Sequence, residues 1–312
     1  MPQFRDPTKT SHAQFRRRPL AGLGALILAS GGIVGGLAGG LVGSPALAQA
    51  ASASDAAAMA PSAATAAASL PDHGEHRPGE GEGEGEGEGE GAVTQSLMTD
   101  DAAYLTRLHL ILGHLEVGVS LYREGHAAAA LTHMKHPADE LYSALIPAFA
   151  ARGVAGFDGQ LEALAQAVAG GADVGTVAHA YADVRAGVKS AATGISTDAA
   201  RSAALWMQVV VNLMRTAADE YALAVVDGRV DNAHEYQDAL GFTRVARSLV
   251  DTLAGSDAAD QPALQRVIET ARTQLDAVQP LWVGVMPPEL VDGEASTLYG
   301  AAARVELAAG AL

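Results

Sequence analysis

Five of the chain's ten histidines fall within residues 109–140, which read HLILGHLEVGVSLYREGHAAAALTHMKHPADE. Imidazole with carboxylate is a ligand set for first-row transition metals, and a chain without cysteine has no thiolate to take that role. Gly125 divides the stretch into two helical arms, and in an antiparallel hairpin residues equally far from the turn face each other. His114 then lies near the depth of His136, and Glu116 near that of Met134, one step from His133. The three-residue step from His133 to His136 suits two imidazoles on one ion, and Glu140 adds a carboxylate if the chain turns suitably at Pro137. His109 and Glu116 are seven apart and share a face of the first arm, with His114 on the opposite flank. His109 and His126 read as flanking residues. The expected ligands are therefore His114, Glu116, His133, His136 and Glu140.

A second set lies in residues 217–242, AADEYALAVVDGRVDNAHEYQDALGF. Glu220 sits on the incoming helix and His234, Glu235 and Asp238 on the outgoing one, with Gly228 at the turn. Glu220 comes within a helical turn of Asp238, and carboxylates paired at a helical interface are costly unless a cation or proton is shared. These four are the secondary ligands. The plainer alternative is a solvated acidic rim with Asp227 and Asp231 as caps. Both hairpins have the same shape, which is compatible with a remote internal duplication. The first is also similar to a tetratricopeptide hairpin, with small residues where the arms touch and histidines that only stabilise it.

The turn Asp227-Gly228-Arg229-Val230 followed by His234-Glu235-Tyr236-Gln237-Asp238-Ala239 resembles a pattern in periplasmic helical regions associated with bacterial iron permeases. Gly113-His114-Leu115-Glu116 is loosely similar to the Gly-x-His-x-x-Glu motif of the imelysin group, helical envelope proteins linked to iron or haem uptake. Here Gly and His are adjacent and the His-to-Glu spacing is one residue short. The resemblances cover two short segments; they imply metal handling and, with it, a transport partner in the envelope.

The composition narrows the rest. With 49% hydrophobic but only 4% aromatic residues, the core must be built from Ala, Val and Leu, which favour close helix packing. A formal charge of −16 argues against nucleic acid as a partner and permits cations. Arg16, Arg17 and Arg18 precede an apolar, Gly-rich run over residues 19–42, and Ala46-Leu47-Ala48 is a small-x-small cleavage pattern. Residues 1–48 are thus expected to be a signal peptide, by the general or the twin-arginine route. The product would be periplasmic, with no stable membrane insertion after cleavage; a retained anchor is the alternative. Residues 49–98 read as a disordered Ala-rich and Glu-Gly tether, an acidic spacer or a cation-collecting arm.

Residues 99–312 are expected to form an all-α antiparallel bundle built from helical hairpins. Spacings of three and four begin at Thr99-Asp100-Asp101, and Pro137 is expected to push His136 out of helical geometry before starting a new helix. Further helices are expected at 158–169, 174–192, 198–226, 232–253, 262–278 and 294–308, with the apolar segment 205–226 at the centre. Alternation at period two occurs only in residues 282–285. Trp206 and Trp282 read as packing anchors and Met286-Pro287-Pro288 as a rigid connector. No nucleophile elbow and no phosphate loop is present, so the chain reads as non-enzymatic; a metal-dependent hydrolase with Glu140 as base is the catalytic alternative. The leading reading is an exported protein that binds a transition metal for uptake or storage. Iron is favoured, zinc and copper suit the same ligands, and haem stays open. The second reading is a helical-repeat interaction module of the envelope without metal.

Overall fold

Short polar side chains, glycine and proline set the helix ends. The computed structural model describes residues 89–312; the expected signal peptide and most of the expected tether lie outside the described residues. The order is α1 (Gly89–Thr99), α2 (Asp101–Arg123), α3 (Ala127–His136), a π-helical turn (Pro137–Tyr142), α4 (Ser143–Arg152), α5 (Asp158–Ala169), α6 (Val174–Ala191), α7 (Thr197–Ala200), α8 (Ala203–Ala224), α9 (Ala233–Ala254), α10 (Pro262–Val278) and α11 (Ala295–Ala309). Asp100 caps α2 by accepting from the amides of Ala102 and Ala103, and Asp173, Ser202 and Asn232 do the same for α6, α8 and α9. Each cap satisfies an amide that the helix cannot, worth about 1 kcal/mol. Gly125 and Gly153 take positive φ in the turns after α2 and α4, and Pro262 starts α10, where its missing N–H costs nothing.

Helices α8, α9, α10 and α11 pack in a closed ring, each on its chain neighbour and α11 back on α8. On the other side α2 lies against α8 and α9, and itself carries α3 and α6; α5 packs on α6 and α3. Where α2 crosses α9 the backbones nearly touch. A Cβ on Gly241 would stand 2.2 Å from the Gly113 carbonyl oxygen, and one on Gly113 would stand 2.4 Å from the Phe242 ring. Among the described residues, no helix is long and apolar enough to cross a membrane.

The all-helical expectation holds, with several differences of detail. Gly89–Thr99 are helical although residues up to 98 read as tether. Leu97 is buried and its carbonyl accepts from Arg152 Nε at 3.0 Å, so tertiary contact supports a helix whose own apolar signal is one turn long. Pro137 does not break the chain: His136 keeps helical angles (φ −47°, ψ −49°), and a wider π-helical turn accommodates the proline. The centre is shared among α2, α8 and α9 rather than held by α8 alone. Helix α9 hides its core position because Glu235, Gln237, Asp238 and Thr243 are among its buried residues. Residues 282–285 form no strand; the strand pair is Val225–Val226 with Arg229–Val230, closed by Asp227 and Gly228 at positive φ.

Candidate metal centre

The Gly113–Gly241 crossing brings the residues next to it together. His114 follows Gly113 on α2, and Asp238 precedes Gly241 by one turn on α9. Their side chains meet in the core, with His114 Nδ1 2.6 Å from Asp238 Oδ1. From α3, His133 places Nδ1 3.0 Å from the same oxygen, and from the start of α9, His234 Nδ1 lies 3.3 Å from Oδ2. His133 and His234 stack at 4.3 Å between ring centroids, and His136 sits 4.7 Å from His114 and 5.2 Å from His234. Four imidazoles thus surround one carboxylate that is only 1% exposed. Two groups of potential ligand atoms share it: His114, His133 and Asp238, and His234, Glu235 and Asp238.

The protonation pattern is set from outside the cluster. Gln237 Nε2 donates to the Val285 carbonyl at 3.2 Å, which turns Oε1 toward His133. That oxygen accepts from His133 Nε2 at 2.8 Å. With one proton, placed on Nε2, His133 presents a bare Nδ1 to Asp238; with two, it donates to both oxygens. This Nδ1 is buried against Asp238 Oδ1 at 3.0 Å. Two lone-pair acceptors buried at 3.0 Å repel unless a cation, a proton or a metal ion, lies between them.

The carboxylates are held anionic. Burial pushes Asp238 up, but His114 and His133 outweigh it and keep the group well below the usual carboxylate range. Burial likewise raises Glu235, and hydrogen bonds with His234 and Glu220 bring it below its ordinary value. Glu220 therefore stands behind Glu235 as one of its hydrogen-bond partners. Burial, with His114 and His234, lowers His136 to about 4 against the pull of Asp238 and Glu235. Among the described residues no lysine or arginine pairs with Asp238 or Glu235. Two carboxylates among four imidazoles form a donor set that suits iron, copper or zinc.

Residues 196–299 match the iron permease-associated 4-helix bundle domain. Nothing among the curated proteins matches the chain, and nothing among the solved structures does. The matched stretch runs from α7 to the first turn of α11 and so contains α8, α9 and α10 of the closed ring. It carries Glu220, His234, Glu235 and Asp238, whereas His114, His133 and His136 come from outside it.

Of the first-hairpin candidates, His114, His133 and His136 are brought together as the depth count about Gly125 implies. Glu140 reaches the edge of the cluster through the π-helical turn, 3.1 Å from His136 Nδ1, and is half in solvent. Glu116 is not brought in. Two residues along a helix from His114, it projects from another face and accepts from the Tyr181 hydroxyl of α6 at 2.9 Å. His109 is buried with Nδ1 donating to the Leu105 carbonyl, and His126 is exposed. The secondary residues move to the centre: Asp238 is the hub, with His234 and Glu235 beside it and Glu220 behind. Gln237 was not legible in the sequence, because a neutral amide among ligand-type residues carries no metal signal. Its place one residue before Asp238 was the available clue.

Proposed function

We propose that the protein is an exported, non-catalytic metal-binding protein that takes up a divalent transition-metal ion between His133 and Asp238. His114, His234 and Glu235 complete the site, His136 stands at its edge, and Glu140 orients His136. The observation that carries this reading is the convergence of His114, His133 and His234 ring nitrogens within 2.6, 3.0 and 3.3 Å of the buried Asp238 carboxylate. A metal ion supplies positive charge there, and Gln237 fixes the tautomer that can bind it, the usual role of an outer partner. The match of residues 196–299 to an iron permease-associated domain supports iron as the cargo and a role linked to iron uptake, with an envelope transport protein as partner. The arginine-led apolar segment and the Ala46-Leu47-Ala48 pattern support export to the periplasm.

Anaerobic calorimetric titration of the metal-free full chain with iron(II) tests the reading. We expect saturable, stoichiometric binding, weakened in His133→Ala by more than the roughly 100-fold that even outer partners can cost. Substoichiometric binding, or equal affinity in the two proteins, would sink it.

A further inference from the structure

Helices α6 and α9 both pack on α2, and a cleft of about 910 Å3 lies among the three helices. Its volume falls within the range of about 300–1,000 Å3 typical of small-molecule sites. Leu112, Val188, Val245 and Leu249 give it an apolar lining, and Trp206, edge-on to His109 at 5.7 Å, adds an aromatic wall. Arg185, Lys189 and Arg244 also line it, against one carboxylate, Glu116, which is engaged by the Tyr181 hydroxyl. That balance reverses the molecule's own, in which 36 acidic residues face 20 basic ones. Among the described residues neither Arg185 nor Lys189 forms an ion pair with a carboxylate, and Arg244 Nη1 donates to the neutral Ser120 hydroxyl at 3.0 Å. The metal centre uses the same two helices, α2 and α9, but shares no residue with the cleft lining.

We propose that this cleft binds an amphipathic organic anion, its apolar body against Leu112, Leu249 and Trp206 and its acidic head between Arg185, Lys189 and Arg244. Burying the hydrocarbon supplies affinity, and the guanidinium and ammonium groups select the charge. Neither requires an ion in the metal centre.

The test titrates the metal-free full chain with three probes and follows tryptophan fluorescence, to which Trp206 reports from the cleft wall. The probes are laurate below its micelle-forming concentration, 1-anilinonaphthalene-8-sulfonate, and neutral dodecanol. Saturable binding of either anion, about tenfold or more tighter than dodecanol, is expected. Laurate alone would assign an alkyl body, and the naphthalene sulfonate alone an aromatic one. The double substitution Arg185→Gln with Lys189→Gln, at two exposed positions, should weaken the anion by about tenfold or more and leave dodecanol unchanged. The proposal is overturned if neither anion saturates, if dodecanol matches them, or if the double variant binds the anion like the parent.

Discussion

His133 is placed between two acceptors, Gln237 on one ring nitrogen and Asp238 on the other, and a neutral imidazole satisfies only one of them. Gln237→Leu removes the first acceptor and lets the proton move to Nδ1, where it donates to Asp238 and competes with a metal. Iron(II) affinity should fall by about 10- to 100-fold with the far-ultraviolet dichroism unchanged, and unaltered affinity would show that Gln237 does not set the tautomer. His109 tests burial instead of binding. Burial holds its imidazole below the ordinary value, against the Leu105 hydrogen bond that raises it. The unfolded chain therefore takes up the proton first as pH falls. The contribution to stability is complete above about pH 6.5 and declines below it until the folded pKa is reached. The urea midpoint should drop between pH 7.5 and 5, and drop less in His109→Gln; equal drops would remove His109 as the cause.

The site exists because two glycines let α2 and α9 touch. A Cβ at 241 would meet the Gly113 backbone, which cannot rotate away as a side chain would. Gly241→Ala should destabilise the protein by about 2 kcal/mol, or about 4–8 °C in melting temperature for a chain of this size. Gly159→Ala on α5 faces open space and should be neutral or gain up to about 1 kcal/mol. Equal melting temperatures for the two variants would contradict the close crossing. The same crossing explains what the sequence could and could not disclose. Helices at 158–169 and 262–278 were legible to the residue because Gly170 and Pro262 mark their ends in the chain itself. The approach of His114 to His136 was legible because both belong to one hairpin about Gly125. The meeting of the two hairpins was not, since it joins residues 124 apart through tertiary packing. Its only local traces are Gly113 beside His114 and Gly241 one turn after Asp238.

At the scale of the whole molecule, the ring of α8 to α11 supplies Asp238, His234 and Glu235, and the α2–α3 hairpin supplies the other imidazoles. Neither part holds the full donor set, so the centre should assemble only when the hairpin docks on the ring. The iron permease-associated match covers α8 to α10 and the start of α11, and His114, His133 and His136 lie outside it. The most direct measurement is anomalous X-ray diffraction from crystals of the full chain loaded with iron(II). The account predicts one buried peak within about 2.0–2.4 Å of both His133 Nδ1 and an Asp238 oxygen. Anomalous density confined to exposed carboxylates, with that core position empty, would contradict it.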